Sequence, residues 1–277
     1  MNEIGRLDSD DRIKLNNELE EIFKLFEKDK LKLAEKRLVK VARTPNYFVR
    51  EYIGRYLSQF HDKDKIEKMA IHLLKHKIYG VRATALFSLF SIHYDEPEVL
   101  YRFIEENYAS VPWEVESIIN DLWKRFPMIM KEYMKSWIDS EDSQKRALSF
   151  QGMDCIAYED PIYIMNYIAK AIDDDTVSVQ KKITHILAQV AKINPIIVFP
   201  YIREWLAEAD DTRIRTIWIS MKKLANIVAQ KTKREERDEF VILTEQTVED
   251  WKNDENGNVS EMGHRLQRII LKYTYNY

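Results

Sequence analysis

Apolar residues recur along this chain at the i, i+3, i+4 and i+7 spacing of amphipathic helices. Six such segments align with one another, and in most of them a small, polar or turn-compatible residue is followed closely by a base. Their aligned positions lie 30 to 35 residues apart. The segments are YFVREYIGRYL from Tyr47, YGVRATALFSL from Tyr79, WEVESIINDLW from Trp113, SQKRALSFQGM from Ser143, SVQKKITHILA from Ser178 and TRIRTIWISMK from Thr212.

A second amphipathic stretch precedes each of these segments, and four of the stretches begin at or near a proline, a residue tolerated in the first turn of a helix. The prolines are Pro97, Pro127, Pro161 and Pro195. Helix pairs repeated at this period bury their apolar faces by stacking on one another. We therefore predict an all-α fold, a right-handed α-solenoid of about six HEAT-like helix pairs.

The predicted solenoid occupies the whole chain as a single domain, 1–277. An N-terminal helix (8–29) precedes the six pairs (31–230), and a C-terminal helical extension (231–277) follows with helices near 234–251 and 259–273. The second helix of each pair is expected to line a concave surface.

Composition agrees with this architecture. Only 6 Gly and 7 Pro occur among 277 residues, so helix-breaking positions are rare. Cys155 is the only cysteine, which favours a reducing compartment. The first residues lack a secretory leader pattern, and no apolar run approaches a membrane span. We predict a cytoplasmic protein that is a monomer without membrane contact.

A row of bases follows from aligning the second helices. The aligned positions are Arg50, Arg82, Glu116, Arg146, Gln180 (followed by Lys181 and Lys182) and Arg215, with Lys145 nearby. Such a row suits the phosphate backbone of duplex DNA, although the net charge is −3. Alternatively, each base pairs with acids in the preceding turns or extends along the surface. The alignment leaves both interpretations open.

Glu116 is the one acid in this row, and Trp113 lies one helical turn before it. A carboxylate flanked by bases can stabilise a cation, with the indole providing a flat wall. The alternative is a tryptophan packed between repeats and an ordinary first-turn acid.

Three stretches resemble the AlkD-like DNA alkylation repair glycosylases. VPWEVESIINDLWKRF (111–126) is similar to a family region with a tryptophan, an acid, and a second acid before Ser-Ile. KEYMKSWIDSEDSQKRALSF (131–150) resembles a repeat of pattern W-x-x-S…R-R-x-A. SVQKKITHILAQVAKINPIIVFPYI (178–202) resembles a helix pair with N-P between its helices. The resemblance covers roughly residues 40–225.

This resemblance implies a HEAT-like solenoid that binds duplex DNA and removes alkylated purines without drawing the base into a pocket. In the family a carboxylate supports the positively charged sugar and a water, and tryptophans contact the deoxyribose. Carried over, Glu116 takes the carboxylate position, Trp113 a cleft tryptophan and Arg146 a backbone contact. The remaining candidate DNA contacts are Arg50, Arg82, Lys145, Lys181, Lys182, His185 and Arg215.

The sequence departs from the family pattern at Glu116, at His185 and at Ala188. Glu116 stands where active members have Asp, one residue closer to the tryptophan. His185 aligns with a second cleft tryptophan, and Ala188 with an arginine.

Other chemistry is weakly indicated. His72 and His76 share a helical face but lack a third ligand, so no metal is predicted, and no cofactor motif occurs. The competing hypothesis is a non-catalytic HEAT-repeat scaffold that binds a protein partner on its concave face.

Overall fold

The computed structural model describes residues 8–273, and this range contains fifteen α-helices and no β-strand. The helices are α1 (Ser9–Glu27), α2 (Leu31–Ala42), α3 (Tyr47–Leu57), α4 (Lys63–Leu73), α5 (Tyr79–Ile92), α6 (Pro97–Asn107), α7 (Pro112–Arg125), α8 (Pro127–Ile138), α9 (Ser143–Ser149), α10 (Pro161–Ala169), α11 (Val177–Ile193), α12 (Pro195–Ala207), α13 (Asp211–Lys233), α14 (Glu239–Lys252) and α15 (Gly257–Ile270). The all-α prediction is confirmed. The prediction that the chain starts without a secretory leader pattern falls partly on residues 1–7, which lie outside the described range.

The six predicted helix pairs are present, from α2/α3 through α12/α13. The four prolines are the first residues of α6, α8, α10 and α12. There the missing proline N–H costs nothing, because the first amide groups of a helix have no partner within it. Between residues 8 and 273 no helix combines the length and apolarity needed to cross a bilayer.

Contacts divide the chain into two compact units, residues 1–118 and 119–277, with the division inside α7. In the first unit α5 is buried almost throughout, from Gly80 to Phe90. In the second, Trp123, Trp137 and Phe150 are among the largest fully buried side chains. There α14 and α15 pack against α12 and α13, so the C-terminal extension continues this unit's helical packing.

The second helix of the fourth pair is shorter than its pattern predicts. Apolar spacing suggested a helix continuing to Met153, but α9 ends at Ser149. Gly152 has φ +77°, and a Cβ there would lie 2.7 Å from the Asn120 side chain. The chain turns at this glycine into a short 3-10 helix, Met153–Ile156.

The first C-terminal helix begins later than predicted, and the second begins two residues earlier. The charged residues 234–238 connect α13 to α14, which begins at Glu239. The Asp238 carboxylate caps α14 by accepting a hydrogen bond from the Val241 amide at 3.0 Å. Asn256 caps α15 and Gly257 starts it, although the Asn-Gly pair is typical of a turn. Side-chain capping by Asp and Asn outweighed the turn tendency of these sequences.

Gly54 lies at a close approach between α3 and α5. A Cβ at Gly54 would lie 2.4 Å from the Cβ of Phe87, whereas a Cβ at Gly257 meets nothing within 4 Å. We expect Gly54→Ala to lower the free energy of unfolding by about 1 to 3 kcal/mol through overpacking. The matched Gly257→Ala should leave it unchanged or raise it by up to about 1 kcal/mol. Urea unfolding measures both, and equal midpoints would contradict the close approach.

Candidate functional site

The start of α7 places three neighbouring side chains in different environments. Trp113 is 69% exposed, Glu114 is fully buried and Glu116 is half-buried. The alternative in which Trp113 packs between repeats is therefore not what this helix does. The Trp113 indole faces solvent, and the carboxylate of Glu114 points into the protein.

Glu114 is held by two groups from earlier helices of the same unit. Its Oε1 accepts hydrogen bonds from Nε and Nη2 of Arg50, at 3.1 and 2.6 Å. Its Oε2 accepts one from the Tyr79 hydroxyl at 2.6 Å. Arg50 is only 4% exposed, so this is a buried ion pair. Burying two charges is tolerated when hydrogen bonds satisfy both, as they do here.

Tyr79 keeps its proton in this cluster. Burial raises the pKa of Tyr79 well above its ordinary value, and the hydrogen bond to the Glu114 carboxylate raises it further. The phenol therefore remains a donor to Glu114 across the physiological range. The cluster of Arg50, Tyr79 and Glu114 therefore holds the start of α7 in place.

A cavity of about 540 Å³ opens above this cluster. Its walls combine the Trp113 indole and the Tyr79 ring with two prolines, and Arg43 adds an exposed cation. The complete lining is Arg43, Thr44, Pro45, Arg50, Ile78, Tyr79, Gly80, Pro112 and Trp113. A pocket of aromatic and apolar walls with a cation at its edge suits a flat group that carries negative charge nearby. We call it the Trp113 cavity.

Three arginines of the aligned row make the same backbone contact. In each, Nη1 donates to the carbonyl oxygens of the residues five and six positions earlier, in the turn before the helix. The shorter bonds are Arg50 to Pro45 at 2.7 Å, Arg82 to His76 at 2.8 Å and Arg146 to Ser140 at 2.9 Å. In these three repeats the aligned arginine therefore ties the turn to the second helix.

Two of these arginines also reach the following repeat. Arg82 donates to the Ser110 carbonyl at 3.2 Å, and Arg146 to the Asp174 carboxylate at 2.7 Å. Burial alone would raise the pKa of Asp174, but bonds from Arg146 and Thr176 outweigh it and lower the pKa. Of the two interpretations left open by the sequence, these contacts favour bonding within and between repeats for Arg50, Arg82 and Arg146.

The other candidate cations belong to the second unit and are more open. Lys181, His185 and Arg215 are exposed, and within residues 8–273 none of them has an ion pair. Lys145 lies 5.7 Å from the Trp137 ring centroid. Lys182 donates to Gln151, whose amide in turn donates to Asn120 at 2.8 Å.

Charge is strongly segregated on these second helices. Together α9, α11 and α13 contain eleven Lys and Arg residues and a single acid, Asp211. Within the unit α11 packs against both α9 and α13. A chain whose net charge is −3 therefore carries a basic set of neighbouring helices.

Glu116 and Ser117 lie one turn into α7 and are both half-buried. Glu116 takes part in an interaction of its own, so it is not a bare carboxylate. The Ser117 side chain hydrogen-bonds the Tyr47 hydroxyl, and burial raises the pKa of that tyrosine. Ser117 occupies the position that the family's longer tryptophan-to-acid spacing would assign to the acid.

Sequence reasoning missed Glu114, Tyr79 and Arg43. A signal for Glu114 was present, because it precedes the buried Ile118 and Leu122 at four-residue intervals and so shares their helical face. An acid on an apolar stripe indicates a buried charge with a partner. Nothing in the local sequence identifies Arg50 as that partner, 64 residues earlier.

Comparison with known proteins gives one family and a fold. The family profile described as DNA alkylation repair enzyme matches residues 42–218. AlkD2 from Streptococcus mutans superposes with a TM-score of 0.58 at 19% identity, covering 69% of this chain and 98% of that one. The smu.31 protein of Streptococcus mutans UA159 gives 0.49 at 17% identity, covering 73% and 97%. A search of curated proteins found no match.

Proposed function

This chain belongs to the DNA alkylation repair enzyme family, and from that membership we propose that it binds duplex DNA and excises cationic N-alkylated purines without flipping the base into a pocket. A cationic alkylated purine is already a good leaving group, so the protein has only to bind the duplex and stabilise the positive sugar. No cofactor is required for that chemistry.

The observation that carries DNA binding is the charge segregation on α9, α11 and α13. Three of the eleven bases on these neighbouring helices pair with acids of the adjoining turns, Arg146 with Asp174, Arg213 with Asp173 and Lys231 with Asp238. The remaining bases outnumber the one acid on these helices and offer a surface to which phosphates can bind with release of counterions. We assign the phosphate contacts to Lys145, Lys181, Lys182, His185 and Arg215. For Arg50, Arg82 and Arg146 we propose an indirect role, since their guanidinium groups already bond the turns.

For the chemistry we assign Glu116 as the carboxylate that stabilises the developing positive charge on the sugar. Trp113 is assigned as the side chain that contacts the deoxyribose, and its 69% exposure leaves the indole free to do so. The two residues are three positions apart on α7, so they lie on one side of the helix. Glu114 fixes the start of α7 from below and so positions both residues.

Binding is tested with an undamaged duplex over a range of salt concentrations. Replacing Lys181 and Arg215 together by glutamine should lower the slope of log Kobs against log salt by about 1.8, since each lost phosphate contact removes about 0.9. The control pair, Lys135→Gln with Lys170→Gln, removes the same charge from exposed positions outside α9, α11 and α13. Equal salt slopes for the two variants would contradict the assignment of phosphate contacts to α9, α11 and α13.

The second candidate function is the protein-binding scaffold. It is favoured by the exposed apolar side chains of the second unit, among them Tyr158 at 79% and Ile196 at 66%. Exposed apolar groups of this kind suit a protein partner better than a phosphate backbone. If the wild-type protein fails to bind any duplex at physiological salt, this function replaces the first.

A further inference from the structure

One face of α2 carries a regular series of cations. Lys32, Lys36 and Lys40 follow one another at four-residue intervals, a rise of about 6 Å each, and Arg43 caps the helix on the same side. All four are exposed, and within residues 8–273 none has an ion pair. This differs from Arg50, Arg82 and Arg146 of the second helices, which bond carbonyl oxygens and acids.

These cations line an open groove of about 630 Å³, which we call the α2 groove. Its full lining is Lys32, Leu33, Glu35, Lys36, Arg37, Val39, Lys40, Arg43 and His76. Glu35 is the acid of the lining, and His72 already contacts it at 3.3 Å. Exposed Lys75 and Lys77 flank His76 in the loop before α5, so the charge extends beyond the helix.

His76 is oriented by the backbone. Its Nδ1 accepts a hydrogen bond from the Ile78 amide at 3.1 Å, which leaves Nε2 as the nitrogen for a further bond. A neutral imidazole with Nδ1 as acceptor carries its proton on Nε2. The ring can therefore donate to an oxygen in the groove without having to be charged.

Arg43 joins this groove to the Trp113 cavity, because it lines both. A ligand with phosphates along α2 would therefore pass Arg43 and reach the indole and the Tyr79 ring. Regularly spaced cations that lead to an aromatic wall suit a polymer with repeating phosphates and flat bases.

We infer that the α2 groove binds the phosphodiester backbone of a DNA strand that continues from the Trp113 cavity. This inference rests on the proposed DNA binding, and it places a DNA contact on a first helix, within the first unit. An anionic lipid surface is the competing polyanion, since Leu31 and Leu33 are also exposed on α2. The junction with an aromatic cavity favours the strand.

The test compares Lys36→Gln with Lys40→Gln in one full-length variant against a matched control. The control, Lys63→Gln with Arg102→Gln, removes the same charge from exposed positions of the same unit outside the groove. Binding to a duplex with a single-stranded overhang is followed by anisotropy across a salt series. We expect the groove variant to lose between about 1.4 and 1.8 from the salt slope, at 0.7 to 0.9 per contact. The control should keep the wild-type slope.

The outcomes separate this inference from the proposed function. If wild type binds DNA and the groove variant matches the control, the α2 groove is not part of the interface and this inference alone fails. If wild type binds no DNA, the proposed function fails with it. Sedimentation with phosphatidylserine vesicles completes the test. Vesicle binding lost in the groove variant, with DNA binding unchanged, would assign the groove to membranes and overturn the inference.

Discussion

Glutamine in place of Glu114 is expected to lower the free energy of unfolding by about 3 to 5 kcal/mol. The substitution keeps the size of the side chain but removes the charge opposite Arg50. That arginine is 4% exposed, so its guanidinium would stay buried without a counter-ion. Leaving one member of a buried pair uncompensated is among the largest single-residue effects on stability.

Companion variants identify the cause of that loss. Tyr79→Phe removes one hydrogen bond to Oε2 and leaves the ion pair, so about 1 to 3 kcal/mol is expected. Arg50→Met combined with Glu114→Met removes both charges and should recover much of the loss of the single variant. Glu98→Gln, at an exposed first-turn position of α6 in the same unit, is the near-neutral control.

Urea unfolding followed by circular dichroism measures all four variants. A Glu114→Gln protein as stable as Glu98→Gln would contradict a buried pair. A double-methionine variant no better than Glu114→Gln would show that the site needs its polar network rather than charge balance. Arg50 of this pair also lines the Trp113 cavity. Loss of the ion pair should therefore disturb the exposed Trp113 indole.

The helix pairs were predictable because their signal is local. Apolar spacing, first-turn prolines and a period of 30 to 35 residues all reflect neighbours within one repeat. The errors fell where a single backbone position decides. Gly152 ends the fourth pair's second helix early, and Asp238 and Asn256 cap helices within stretches that resemble continuing helix or turn.

The site was less predictable, because residue type does not determine the partner. The aligned arginines were recognised from their register, yet phosphate binding and turn binding require the same residue at the same place. Only the distances from Arg50, Arg82 and Arg146 to the preceding carbonyl oxygens distinguish the two uses. Within residues 8–273 Lys32, Lys36 and Lys40 of α2 have no ion pair, and the alignment of second helices did not include that helix.

The choice between Glu114 and Glu116 shows the same limit. Both lie in the first turns of α7, where an acid is favoured by the helix dipole. One is fully buried against Arg50 and the other is half-buried. Because the buried Glu114 carboxylate is bonded to Arg50 and Tyr79, Glu116 is the carboxylate that we assign to the proposed chemistry.

Glu116→Gln is accordingly expected to slow release of free base from N-methylated duplex DNA by about 100- to 1,000-fold. The amide keeps the shape of the side chain but cannot stabilise a positive sugar. Affinity for undamaged duplex should stay within a factor of a few, because Glu116 contacts no phosphate in the proposed geometry. Glu51→Gln, a half-buried acid paired with Arg55 on α3, is the matched control and should release base at the wild-type rate.

A rescue experiment addresses the departure in spacing. The family resemblance places the acid one residue further from the tryptophan, at the position of Ser117, whose side chain bonds Tyr47. Adding Ser117→Asp to Glu116→Gln should restore base release if a carboxylate on this turn of α7 carries the chemistry. Rescue would mean that the longer Glu116 side chain offsets the shorter spacing, since about 1 Å of misplacement is costly in catalysis. Absence of base release from the wild type and from the Glu116→Gln, Ser117→Asp variant alike would remove excision from the proposed function, and the salt series would then decide whether DNA binding stays.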